Sequence, residues 1–142
     1  MNMWIFYALL SAFTAALVAI LSKLGLKSID PTLATTIRGI IMAIFLFLTS
    51  LSIGKFNGFS FKFLSSRDWI LIVLAGVAGA LSWLFYFLAI KMGDVVKVVV
   101  IDRLSLVFVI ILALLFLGEQ MTWKSALGAG LMVLGAILIS LK

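Results

Sequence analysis

Five long apolar runs constrain what this chain can fold into more than any other feature of the sequence. They cover residues 3–22, 32–53, 69–90, 95–117 and 122–141. Each run has about 20 residues, which is the length that an α-helix needs to cross the hydrocarbon core of a bilayer. The strands of a membrane β-barrel would instead alternate apolar and polar residues over about 10 positions. The sequence therefore predicts an all-α polytopic membrane protein, a bundle of five transmembrane helices forming a single domain over residues 1–142.

Composition excludes several other classes of protein. Hydrophobic residues make up 65% of the chain and charged residues 11%, against roughly 45–50% and about 25% in soluble domains. The chain has no Cys and no His, so it lacks disulfides, thiol nucleophiles, the commonest metal ligands and the usual acid–base group near pH 7. We expect no metal site, no cofactor and no enzyme activity. The net charge of +6 comes from basic residues that stand singly between apolar runs. This pattern favours loops that face anionic lipid over a nucleic-acid partner.

The predicted helix starts carry residues that commonly cap helices. Asp30 precedes Pro31, which pairs a capping carboxylate with a proline at the first helical position of the second span. The other predicted caps are Ser66 or Asp68 for the third span, Asp94 for the fourth and Thr122 for the fifth.

Three ionisable residues fall inside the predicted spans, namely Arg38 in the second and Asp102 and Arg103 in the fourth. All three are expected at a similar depth in the same half of the bilayer, about 5–6 Å from its midplane at 1.5 Å per residue. An ionisable residue at such a depth marks a functional site by default. One interpretation is a buried Asp102–Arg38 pair that only orients two helices, with Arg103 directed outward.

The other interpretation is that these three side chains line a polar cavity with a formal charge of +1. Such a cavity would favour a substrate with an anionic group, because arginine presents a planar fork of donors to carboxylate or phosphate. Asp102 would then be the candidate group for proton coupling. Trp83 and Tyr86, three residues apart on the third run, predict either core packing or an aromatic wall for the substrate.

The last two runs contain two further features, a glutamate just after the fourth run and closely spaced small residues in the fifth. Glu119 follows Gly118 after the fourth run, and we interpret it as a turn residue in the membrane interface. The fifth run contains Ala126 and Gly130 at a spacing that lets helix backbones approach within lipid. We take this run as the candidate contact between two copies of the chain.

Basic residues leave the membrane orientation nearly undecided. The side that holds the N-terminus carries four, namely Lys55, Lys62, Arg67 and Lys124. The other side carries five, namely Lys23, Lys27, Lys91, Lys97 and Lys142. Because the positive-inside rule acts on a difference in this count, a dual topology is one hypothesis, in which the chain inserts both ways and pairs with an inverted copy. The alternative is a single orientation that another signal sets.

Several motifs are similar to those of a known family. The stretch Gly79–Ile139 resembles the EamA domain of the drug/metabolite transporter superfamily, most clearly in the LFLGE turn at Leu115–Glu119 and the Gly-rich last run. The segments Val100–Ser105 and Thr14–Gly39 resemble the single-domain, five-helix bacterial and archaeal branch. The resemblance implies a multi-pass carrier for small molecules in the cell membrane, working by alternating access. Larger relatives carry two such domains in inverted topology, which together with the charge count implies an antiparallel homodimer here.

The resemblance also narrows the class of substrate that we expect. Small multidrug exporters of the same superfamily use a Glu in the first helix for proton–cation exchange, and the first run here contains no acidic residue. We therefore predict a transporter for a small metabolite rather than a bulky cationic drug, with the substrate held by Arg38, Asp102, Arg103, Trp83 and Tyr86. The alternative is a non-transporting membrane scaffold in which every intramembrane charge is structural. A membrane enzyme has little support, since the acid–base groups at depth are one Asp and two Arg.

Overall fold

The computed structural model describes residues 3–60 and 64–141, and within these ranges helix is the regular secondary structure. The helices are α1 (Met3–Gly25), α2 (Pro31–Ser52), α3 (Ser66–Met92), α4 (Val95–Asp102), α5 (Ser105–Leu112) and α6 (Trp123–Ser140). A π-helical segment, Ala113–Leu117, continues α5. Five stretches are long and apolar enough to cross a membrane, the fourth being Val95–Leu117. The predicted all-α fold with five membrane spans is confirmed, while Lys62 and Lys142 of the charge count lie outside the described residues.

Two of the predicted helix starts are confirmed by their hydrogen bonds. The Asp30 carboxylate accepts from the backbone N–H groups of Thr32 and Leu33 at 2.9 and 3.0 Å, and Pro31 opens α2. The Thr122 hydroxyl accepts from the backbone N–H of Ser125 at 3.2 Å at the start of α6. Both caps satisfy donors that an α-helix leaves without an internal partner.

The start of α3 differs from the prediction, whereas the start of α4 agrees with it in position. Helix α3 begins at Ser66, so the cap is Ser65 and not Ser66 or Asp68. Asp68 instead accepts from the backbone N–H and hydroxyl of Ser65 at 2.9 and 2.7 Å, while Ser65 accepts from the N–H of Asp68 at 3.2 Å. This reciprocal pair is a capping box. Asp94 occupies the cap position of α4 but makes no side-chain capping bond.

The fourth span is not the single helix that the sequence predicts. Arg103 and Leu104 form a turn between α4 and α5. The backbone N–H of Leu104 bonds the carbonyl of Ile101 at 2.9 Å, and that of Val107 bonds the carbonyl of Leu104 at 2.9 Å, three residues back rather than four. This is the tighter 3₁₀ spacing. Asp102 and Ser105 at the turn have low helix preference, which weakens the helix at this point.

The helices divide into two compact units, and lysine side chains join helix ends within each. The first comprises the described residues of Met1–Lys23 and Met92–Lys142, and the second is Leu24–Lys91. In the first unit α4 packs against α6, and the Nζ atom of Lys23 donates to the carbonyl of Gly93 at 2.7 Å. In the second, the Nζ atom of Lys91 donates to the carbonyl of Ile29 at 2.9 Å. Ammonium groups near helix ends satisfy carbonyls that have no helical partner.

Apolar side chains are mostly exposed. Among the described residues, the buried apolar side chains are Ala19, Leu26, Pro31, Phe87, Ile90 and Ala136. In water such exposure would be very costly, at about 25 cal/mol per Å² of apolar surface. Within a bilayer the same surface faces hydrocarbon or another protein, which agrees with the membrane assignment.

Candidate substrate-binding residues

Arg38 of α2 lies against an aromatic face of α3 in the second unit. Its guanidinium carbon is 3.5 Å from the centroid of the Trp83 ring and sits over that ring. The same carbon lies 5.4 Å from the centroid of the Phe87 ring. At the shorter distance the indole covers one face of the guanidinium, which is a cation–π contact.

The aromatic rings form a cluster because residues three and four apart share one face of a helix. The Trp83 and Tyr86 centroids are 5.6 Å apart with their planes at 79°. The Trp83 and Phe87 centroids are 6.0 Å apart at 66°. Edge-to-face arrangements of this kind are favoured by the ring quadrupoles. The structure thus brings together three of the predicted site residues, namely Arg38, Trp83 and Tyr86.

Phe87 belongs to this cluster and was not predicted. Its side chain is 3% exposed, so it is the most deeply buried ring of the group, whereas Trp83 and Tyr86 are partly buried. Its position four residues after Trp83 was the sequence signal, since that spacing places both rings on the Arg38 side of α3. We name Arg38, Trp83, Tyr86 and Phe87 the arginine–aromatic cluster.

The guanidinium of Arg38 retains its hydrogen-bonding capacity. Among the residues that the structure describes, no group accepts a hydrogen bond from it, and its interactions are with the aromatic rings. A guanidinium carries five N–H donors around its edge, and stacking occupies its face instead. The edge of Arg38 is therefore suited to a carboxylate or phosphate.

Asp102 and Arg103 lie at the turn between α4 and α5 in the first unit, and both side chains are exposed. Because the N–H of Leu104 bonds Ile101, the carbonyl of Val100 loses the partner it would have in a continuous helix. Interrupted transmembrane helices supply such backbone groups to substrate and ion sites in transporters. Arg38 belongs to the other unit, so the predicted pairing of Asp102 with Arg38 stays a prediction.

Metal binding has no support in the part of the chain that is described, where no three acidic, His or Cys side chains form a ligand group.

Comparison with known proteins identifies the family. The sequence profile of the EamA-like transporter family matches residues 2–141. The chain belongs to the EamA-like transporter family. A curated relative from a Sinorhizobium species, named "uncharacterized transporter in cobO 3'region", is 37% identical over 137 residues, covering 96% of each chain. No solved structure matches this EamA-like protein significantly. The chain is therefore a multi-pass membrane protein of a transporter family, and the predicted resemblance is confirmed.

Proposed function

We propose that this EamA-like protein transports a small metabolite that carries an anionic group across the cell membrane of a bacterium or archaeon. The observation that carries the proposal is the arginine–aromatic cluster, in which a cation within a membrane span stacks on Trp83 and, among the residues that the structure describes, donates no hydrogen bond. A structural arginine at such depth would be expected to bond a carboxylate or a backbone carbonyl. An arginine stacked on an aromatic ring and open at its edge is instead suited to a ligand.

Asp102 is proposed to couple transport to a proton. It is an acidic residue within the fourth span, and it stands at the interruption between α4 and α5. An interrupted helix can change its hydrogen bonding at low cost, because its backbone bonds there are already irregular. Protonation of Asp102 would remove a charge at that point and so favour one state of an alternating-access cycle.

The functional unit is proposed to be an antiparallel homodimer that places two chains around one pathway. The curated relative has nearly the same length as this chain, as expected if one domain is the unit from which such proteins assemble. Helix α6 supports this with a shallow apolar groove of about 230 Å³. The groove is lined by Trp123, Ala126, Leu127, Gly130, Leu131 and Leu134. Small residues in such a groove allow close approach of a second helix.

Uptake into proteoliposomes from a mixture of metabolites, with and without a pH gradient, tests the proposed function. Wild-type protein should accumulate one class of organic anion. Arg38→Ala should reduce this uptake by about 10- to 100-fold, since a hydrogen bond to a charged group contributes about 1.5–3 kcal/mol. Asp102→Asn should retain downhill uptake but lose the response to the gradient.

Arg67→Ala is the matched control, because Arg67 is an exposed arginine at the start of α3. Each variant should first show wild-type helicity and a single peak in gel filtration. Unchanged uptake in Arg38→Ala would reject the arginine–aromatic cluster as the site. Absence of uptake for every metabolite, with well-folded protein, would favour the non-transporting scaffold.

A further inference from the structure

A pocket separate from the arginine–aromatic cluster lies in the first unit, where the chain turns from the fourth span into α6. Its volume is about 130 Å³. Apolar side chains of α5 and the π-helical segment, including Val109, Ala113 and Leu114, form one wall. Glu119, Gln120 and Ser125 supply the polar part of the lining. We name this cavity the Glu119 pocket.

Backbone geometry places Glu119 against this wall. Gly118 has a left-handed conformation, with φ of 65°, which glycine adopts without steric cost. The backbone N–H of Glu119 then bonds the carbonyl of Ala113 at 3.3 Å. This bond turns the chain back over the end of the π-helical segment, as left-handed glycines do at helix ends. This backbone bond and the turn at Gly118 place Glu119 next to the end of the π-helical segment.

Glu119 differs from the acidic residues that cap helices. Asp30 and Asp68 accept hydrogen bonds from groups at the starts of α2 and α3. Within residues 3–60 and 64–141, no group donates a hydrogen bond to the Glu119 carboxylate. It is also the chain's sole glutamate, in a protein with 11 basic and 5 acidic residues. An acidic group that caps nothing and borders a cavity is available to a cationic ligand.

We propose that the Glu119 pocket binds the ammonium group of a small primary amine, with the hydrocarbon part of the amine against the wall formed by α5. A primary ammonium has three N–H donors. The Glu119 carboxylate, the Gln120 amide oxygen and the Ser125 hydroxyl provide three kinds of acceptor. Ser125 already shares a hydrogen bond of 2.8 Å with Thr122, and a hydroxyl oxygen has a second lone pair that can accept.

The size and polarity of the pocket favour an organic cation over a metal ion. Ca²⁺ needs about six to eight oxygen ligands and Mg²⁺ a nearly octahedral set, whereas a single carboxylate and an apolar wall face this cavity. A cavity of about 150 Å³ can hold a benzene molecule, so the space suits an alkyl group of a few carbon atoms. The ammonium could belong to a free amine or to the headgroup of an ethanolamine phospholipid.

Ligand-observed NMR titration of n-butylammonium into the purified full-length protein in detergent tests the proposal. Saturable binding is expected to weaken at least tenfold in Glu119→Gln. Ala113→Leu should also weaken it, because the larger side chain fills the apolar wall while the carboxylate remains. Asp94→Asn is the matched control, since it removes one acidic charge that makes no capping bond at the start of α4, and it should bind as the wild type does.

Three further compounds define the ligand. Neutral n-butanol should not bind, because it lacks the positive charge. Displacement of n-butylammonium by phosphatidylethanolamine but not by phosphatidylcholine would support the ammonium site and assign its source to lipid. Equal affinity in Glu119→Gln and wild type, or equal binding of n-butanol, would overturn the proposal. Because binding is measured without transport, this result does not depend on the function proposed above.

Discussion

Arg38 places a positive charge within a membrane span, and its contacts with residues of α3 affect the free-energy cost of placing it there. An arginine at the centre of a transmembrane helix costs about 2.5–3.5 kcal/mol on insertion scales. A cation–π contact contributes about 0.5–2 kcal/mol, the larger value applying when the pair is desolvated, so Trp83 offsets part of this penalty. The guanidinium stacks through its face, and among the described residues no group accepts a hydrogen bond from its edge. The contact therefore stabilises the cation in the span, and the function proposed above requires the free edge to bind an anion.

A double-mutant cycle on Arg38→Ala and Trp83→Leu should show this coupling. We expect a coupling free energy of about 1–2 kcal/mol, because each single substitution removes the same contact. The measurement is thermal unfolding in detergent, followed by circular dichroism. Trp4→Leu in place of Trp83→Leu is the control, since Trp4 is 69% exposed on α1. Additive effects of the Arg38 and Trp83 substitutions would show that the contact contributes no stability.

Side chains that accept backbone hydrogen bonds set the starts of α2, α3 and α6. Asp30 caps α2 with two such bonds, and Thr122 caps α6. Lys91 at the end of α3 instead donates to the carbonyl of Ile29, which lies just before the cap of α2, and so joins these two helices. The elements are therefore delimited by polar contacts and not by hydrophobicity alone.

Asp30→Ala should loosen the first turn of α2. Loss of an N-cap costs about 1 kcal/mol, whereas asparagine caps nearly as well as aspartate. Hydrogen exchange measured by mass spectrometry should therefore show about fivefold faster exchange at Thr32 and Leu33 in Asp30→Ala. Asp30→Asn should stay near wild type. Equal acceleration in both variants would assign the effect to the lost charge instead of the lost cap.

At the scale of the whole molecule, one chain supplies five spans and much apolar surface. Lipid can cover that surface, and so can a second copy of the chain. The groove on α6 is the proposed site of close contact with a second copy, because Ala126 and Gly130 leave room for a backbone. The chain contains no Cys, so introduced cysteines can report on this contact without background.

Cysteine cross-linking across α6 should reveal an antiparallel arrangement. If two copies cross near Gly130 in opposite directions, Leu127→Cys on one chain should link to Leu134→Cys on another. Chains that all carry Leu127→Cys should not link to each other. The measurement is disulfide formation in native membranes, separated by non-reducing electrophoresis. Self-linking of Leu127→Cys would indicate a parallel pair, and no linking in any combination would exclude α6 as the interface.

Local sequence determined the fold class, the five spans and the caps at Asp30 and Thr122, because hydropathy and capping act over a few adjacent residues. It also indicated Arg38, Trp83 and Tyr86 as candidate site residues, but not the contact between Arg38 and the rings. Tertiary structure decided that Arg38 rests on Trp83 and Phe87, because that contact depends on how α2 meets α3, which periodicity does not encode. It also decided the turn at Arg103 and the placement of Glu119 against Ala113. There the backbone N–H groups bond carbonyls three and six residues back instead of four, and the hydropathy pattern of the spans does not show which spacing is used.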